Sequence, residues 1–168
     1  MPDPDFRALA HSARERIIEF AQRLLRAPSF TGQEGEAAEL VLQEIERLGY
    51  DEAITDSAGN VIGRLKGGSG GRVLLHAHLD VVDTGDASRW RYAPFAGEVH
   101  GGYLWGRGAS DDKGCVVAQV YALGLLRQAG LTPPGDVYLA AVVGEEVGGI
   151  GTRYLSRHFR PDVAVIGE

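Results

Sequence analysis

The chain has 168 residues, 44% apolar and 24% charged, which suits a soluble globular protein with one sizeable core. Seventeen basic against twenty-three acidic side chains give a net charge of -6, which argues against a general binder of nucleic-acid backbones. The single cysteine, Cys115, rules out an internal disulfide, and no apolar run approaches the ~20 residues that span a bilayer. The start Met1-Pro2-Asp3-Pro4-Asp5 has neither the basic opening nor the apolar core of a signal peptide, so a cytoplasmic location is expected.

Phe6, Leu9, Ala13, Ile17, Phe20 and Leu24 recur at helical spacing and predict one amphipathic helix, closed by Pro28. Thr31 and Glu34 read as a T-x-x-E capping box that opens a second helix. Ala37, Leu40, Val41, Ile45 and Leu48 form its buried stripe, and Gly49 ends it. Asn60 to Lys66 reads as a short strand, residues 67–71 as a glycine-rich turn, and Arg72 to His78 as a buried strand. Residues 82–95 are polar and predict a loop; Glu98 to Trp105 predicts a strand bent at Gly101-Gly102. A third helix opens at Asp111 or Asp112, runs to about Ala129 and stops at Gly130 and Pro133-Pro134. Asp136 to Val143 is a strongly apolar strand, a short helix follows from about Gly149 to Arg157, and Asp162 to Ile166 is a last strand. Helices thus alternate with strands that are apolar throughout. That pattern predicts an α/β fold with a mostly parallel central sheet flanked by helices, undivided over residues 1–168. In such sheets ligands bind beyond the carboxyl ends of the strands.

The unusual residues fall at those ends. His78 and Asp80 close the third strand, Asp111 and Asp112 open a glycine-flanked helix, Glu145 and Glu146 follow the next strand, and Glu168 follows the last. Taken singly, these are a strand end, a helix cap, a solvated turn and a chain end. Solvated acids should not recur so regularly after buried strands, and Gly106, Gly108, Gly148 and Gly149 beside them predict close backbone approach. A hydrolase that uses divalent metal needs nitrogen and oxygen ligands with open positions for water and substrate. A pair of metals about 3.5–4 Å apart needs a shared carboxylate, and a further carboxylate can take the proton from water. A histidine ligand needs an acceptor that fixes its tautomer.

The run Leu74-Leu75-His76-Ala77-His78-Leu79-Asp80 resembles the first metal motif of the metallopeptidase M20 family. Gly106 to Gly114 is similar to its G-R-G-x-x-D-x-K-G motif, Glu145 to Gly149 to its E-E-x-G-G motif, and Gly167-Glu168 to the start of its G-E-P-T motif. That family includes acetylornithine deacetylase, succinyl-diaminopimelate desuccinylase, aminoacylase, carboxypeptidase G and dipeptidases. The resemblance implies a zinc-exopeptidase-like catalytic domain that cleaves an amide bond in N-acyl amino acids or small peptides. It implies metal ligation by His78, Asp111, Glu146 and Glu168, with Asp111 bridging two zinc ions; cobalt or manganese are alternatives. Asp80 would hydrogen-bond His78, and Glu145 would be the general base and acid. The peptide bond after the bridging aspartate would be cis.

Ala77, Asp112 and Gly144 depart from the family's commoner glycine, methionine or glutamine, and aspartate, and bear on substrate more than on mechanism. His76 is expected to pack rather than ligate, Lys113 to pair with nearby acids, and Cys115 to join the core. The family's second metal also takes a histidine from far downstream, which His158, the last histidine here, does not match. Residues 1–168 are therefore expected to be the N-terminal part of the catalytic domain. The inserted dimerisation domain and the C-terminal part would be absent, and the chain alone inactive. The intact protein is expected to be a homodimer that binds neither nucleic acid nor membrane. A non-catalytic metal-binding homologue is the alternative.

Overall fold

A computed structural model of the chain describes residues 5–168; residues 1–4, part of the expectation about a leader, lie outside the described residues. Helices α1 (Phe6–Ser12), α2 (Arg14–Arg26) and α3 (Gly35–Arg47) come first, followed by strands β1 (Glu52–Thr55), β2 (Val61–Leu65) and β3 (Val73–His78). A hairpin of β4 (Glu98–His100) and β5 (Tyr103–Trp105) precedes α4 (Lys113–Gln128), β6 (Val137–Val142), α5 (Ile150–His158) and β7 (Val163–Ile166). The main sheet has the order β1-β2-β6-β3-β7. β6, β3 and β7 are parallel neighbours, while β2 is antiparallel to both β1 and β6. Only β2 therefore runs against the rest, and the sheet is mostly parallel in direction, as the sequence predicts.

The apolar runs explain this layering. Leu139 to Val142 in β6 have no exposed surface, because both faces of that central strand are covered. On one face Phe20, Leu24, Val41, Ile45, Val116 and Val120 from α2, α3 and α4 pack against Val61, Leu65, Ala77 and Leu139. Burying a side chain of this size stabilises the fold by ~1.5–3 kcal/mol. The other face is covered more thinly, by α5, whose Leu155 meets Leu74, Ala140 and Val142. β7 is an edge strand whose Val163, Val165 and Ile166 are exposed. Among the described residues no helix is long and apolar enough to cross a membrane.

Four local expectations need correction. The first predicted helix is two, broken at Ala13, which is fully buried with φ -98 and ψ 0. There the Ser12 hydroxyl donates to the Leu9 carbonyl and the Ala13 N–H to Ala10 O, a tighter turn that ends α1. β1 was not anticipated; Glu-Ala-Ile-Thr is a mixed, largely exposed run on the outer edge of the sheet. The capping box does not form, because α3 begins at Gly35 and Glu34 makes no side-chain cap. Both of its side chains bond elsewhere, as described below.

Lys113 is the fourth. Among the described residues it forms no ion pair with an acid; its ammonium donates to the carbonyls of Leu24 at 2.9 Å and Ala27 at 2.7 Å, at the end of α2. Those carbonyls have no helical partner and need a donor. Burial pushes the Lys113 pKa down to about 8, opposed by the charge of Glu36. Lys113→Met keeps an apolar stem but strands two interior oxygens. We expect urea unfolding to show a loss of ~1–3 kcal/mol; an unchanged midpoint would mean that the ammonium is dispensable there.

Candidate metal centre

The register of the parallel strands assembles the site. His78 at the end of β3 lies opposite Val142 of β6, and His76 lies opposite Ile166 of β7. The residues that follow each strand, Asp80, Glu145-Glu146 and Glu168, therefore emerge at one edge of the sheet. Asp111 joins them from the loop before α4, and its peptide bond to Asp112 is cis, as the resemblance implied. Ligand atoms of His78, Asp111 and Glu168 lie within 4.8 Å of one another. One imidazole nitrogen and two carboxylates at that spacing fit a divalent ion of the zinc type.

The glycines divide by function. A Cβ at Gly108 would lie 2.8 Å from Val81 Cγ1, and one at Gly106 would lie 3.0 Å from the Pro94 carbonyl, so close approach is real there. A Cβ at Gly148 or Gly149 would make only ordinary contacts, 3.6 Å from Arg153 Nη2 and 3.9 Å from Thr152 Cβ, but their φ of +106 and +70 require glycine for backbone conformation.

His78 is held on every side. Nε2 is 3.0 Å from Asp111 Oδ1; Nδ1 is 3.0 Å from the Asp80 carbonyl and 3.5 Å from its carboxylate. The His78 N–H donates to Asp112 Oδ2 at 2.9 Å. Asp80 is therefore beside His78, though its main-chain oxygen is the nearer partner. With Nδ1–H directed at Asp80, Nε2 is the nitrogen presented to a metal. Asp80 also accepts from the N–H groups of Glu145 at 2.9 Å and Glu146 at 3.1 Å and from the Thr31 hydroxyl at 2.9 Å. The Glu146 carboxyl stands outside the three-residue group. Burial, and then the negative charge of Asp111, raise its pKa.

Other singled-out residues take supporting places. His76 Nε2 is 2.9 Å from Thr152 Oγ1, away from the metal group, as expected for a packed histidine. Cys115 is half-buried against the core, and burial followed by the Asp112 carboxylate pushes its thiol up to about 11. Asp112, marked in the sequence only as a departure, is a buried acceptor for His78. Thr31 and Glu34 carried only a helix-start signal.

Residues 74–168 match the sequence profile of Peptidase family M20/M25/M40. The chain is 31% identical over 166 residues to N-formyl-4-amino-5-aminomethyl-2-methylpyrimidine deformylase of Bacillus subtilis, covering 92% of this chain and 39% of that protein. It is 44% identical over 104 residues to succinyl-diaminopimelate desuccinylase of Xanthobacter autotrophicus, covering 58% of this chain and 28% of that one. The fold superposes on human carnosine dipeptidase 1 with a TM-score of 0.82 at 19% identity, covering 99% of this chain and 41% of that one. An M20 family metallo-carboxypeptidase from Sulfolobus solfataricus gives 0.76 at 24%, covering 90% and 36%. The chain spans about two fifths or less of these relatives.

The metal-free site has a defined response to pH. Burial favours a neutral His78 ring, but its hydrogen bond with Asp80 and the charges of Asp112 and Asp80 prevail and raise its pKa from 6.5 to about 9. Burial would likewise raise Asp80; the His78 ring, the Glu145 N–H, the Thr31 hydroxyl and the Glu146 N–H hold it at about 2 instead. A raised histidine pKa stabilises the fold fully below 6.5, and that contribution is lost as pH rises through about 9. The depressed Asp80 contributes above 3.8 and is lost as pH falls through about 2. In chelator, Tm should therefore fall between about pH 6.5 and 9, and His78→Asn should flatten that slope. A slope equally steep in the variant would show that other groups set it.

Proposed function

The chain belongs to peptidase family M20/M25/M40, and from that footing we propose that it carries the metal-binding and proton-transfer groups of an amide hydrolase. The substrate would be an N-acyl amino acid or small peptide. The convergence of His78, Asp111 and Glu168 at the ends of the parallel strands carries this reading. The names of the relatives agree with it: a deformylase, a desuccinylase and a dipeptidase each imply cleavage between an acyl group and nitrogen.

His78, Asp111 and Glu168 would hold one zinc ion, and Asp111 with Glu146 would contribute to holding a second. When bound, such ions polarise a carbonyl and lower the pKa of water towards ~7. Asp80 keeps the imidazole in the tautomer that frees Nε2. Glu145, on the turn whose N–H groups Asp80 fixes, would take the proton from the attacking water and pass it to the leaving amine. Residues 1–168 would be the N-terminal part of the catalytic domain of a longer, homodimeric, cytoplasmic protein; the coverage of the relatives supports the first of these.

Two measurements test the reading. Zinc should bind this chain, and Asp111→Ala should abolish the binding. In the complete protein, Glu145→Ala should retain metal and lose about 10²–10⁴-fold in kcat on N-acyl amino acids or dipeptides. Equal hydrolysis by wild type and variant would sink the assignment.

A further inference from the structure

Glu34 is a carboxylate in the interior without a cation against it. It is 6% exposed, and no Lys or Arg among the described residues forms an ion pair with it. Its position before α3 suggests a helix cap, yet it makes no cap hydrogen bond. Instead Oε1 accepts the N–H of Gly144 at 3.1 Å, from a residue 110 positions away. The next two N–H groups, of Glu145 and Glu146, go to the two oxygens of Asp80. Three successive amides of one turn are thus held by two buried carboxylates.

The segment that carries Glu34 is itself fastened to the site. The Ser29 hydroxyl donates to Leu79 O at 2.7 Å, the Val81 N–H to Ser29 O at 2.9 Å, and the Thr31 hydroxyl to Asp80 Oδ2 at 2.9 Å. Residues 29–34 therefore grip the end of β3 on one side and the turn after β6 on the other. The N-terminal end of α3 offsets part of the cost of burying this charge, since a helix N-terminus favours an anion. Turn amides left without acceptors would let the backbone beneath Glu145 and Glu146 sample other conformations.

We propose that Glu34 is a positioning residue, whose carboxylate, together with Asp80, locks the Gly144–Glu146 backbone so that Glu145 and Glu146 are pre-set for their roles. The proposal rests on the reading of those two glutamates given above. Reach, rather than charge, is what the geometry demands of Glu34. A cavity of about 490 Å³ adjoins it, lined in part by Thr31, Gly59, Val143, Gly144 and Ile150. Water entering there can satisfy the Gly144 N–H in a truncated variant, so the fold survives while the turn loosens.

Hydrogen exchange on the 168-residue chain, with zinc titration alongside, tests this. Glu34→Ala should speed exchange at Gly144, Glu145 and Glu146 at least tenfold, leave the β6 amides unchanged and weaken zinc binding at least threefold. Glu34→Gln, which keeps an acceptor at the same reach, should restore most of both; Glu34→Asp, which keeps charge but not reach, should not. Glu39→Ala, which removes an exposed carboxylate lining the same cavity, should change neither. Should Glu34→Ala fail to fold, the Gln and Asp variants decide the matter alone. Unchanged turn exchange in the Ala or Asp variant overturns the proposal, as does a uniform rise that includes β6 or a Gln variant no better than Ala. A wild-type chain that binds no zinc would defeat the metal centre instead, leaving turn exchange to decide the role of Glu34.

Discussion

A carboxylate with no exposed surface is costly to keep charged unless its oxygens are paired, and Asp80 is paired on both in a way that organises the site. One oxygen takes the Glu145 N–H and faces the His78 ring; the other takes the Glu146 N–H and the Thr31 hydroxyl. Those partners come from the end of β3, the turn after β6 and the loop before α3. No single element contains the site, so one buried charge does the joining. Taking away any one partner leaves an under-compensated anion in a low-dielectric interior, which costs more than the lost hydrogen bond alone.

Strand direction explains why acids from such distant positions meet. β3, β6 and β7 run side by side in the same sense, so their carboxyl ends share one edge and the chain leaves each strand on the same side. Gathering Asp80, Asp111, Asp112, Glu146 and Glu168 there concentrates negative charge. Burial and then that charge raise the Glu146 carboxyl; against burial, the hydrogen bond with Asp80 and then that charge let the His78 ring hold its proton up to about 9. A divalent cation at Nε2 would replace that proton and offset the same charge with a fixed geometry. Under the proposed function, metal affinity and stability would therefore be coupled through His78.

Long-range architecture was legible in the sequence because it is written in strong, repeated signals. Apolar runs of strand length located β2, β3, β6 and β7, and the acid or histidine after β3, β6 and β7 located the crevice. What was hidden depends on partners the local sequence cannot name. Thr31 and Glu34 have the spacing of a capping box worth ~1 kcal/mol, but Asp80 and Gly144 compete for them and prevail. Lys113 stands among acids in sequence, yet its ammonium sits beneath the end of α2, where carbonyls lack donors. β1 has too little buried surface to announce itself.

The exposure of the site residues sorts them by duty. His78, Asp80 and Asp112 are essentially inaccessible, while the Asp111 side chain is 58% exposed and Glu168 is also open to solvent. Packing and hydrogen bonds hold the three interior groups in one conformation, and under the proposed function His78 would ligate from there. Under the proposed function, Asp111 would bind metal from a side that water and substrate can reach. A centre built the other way round would hold its ligands loosely and close off its open positions. This division would suit the hydrolytic metal site proposed here, because preorganised dipoles act without reorganising during a reaction, while at least one coordination position must remain free. On that proposal, the buried carboxylates of Asp80 and Asp112 behind His78 would matter to the chemistry as much as the ligands themselves.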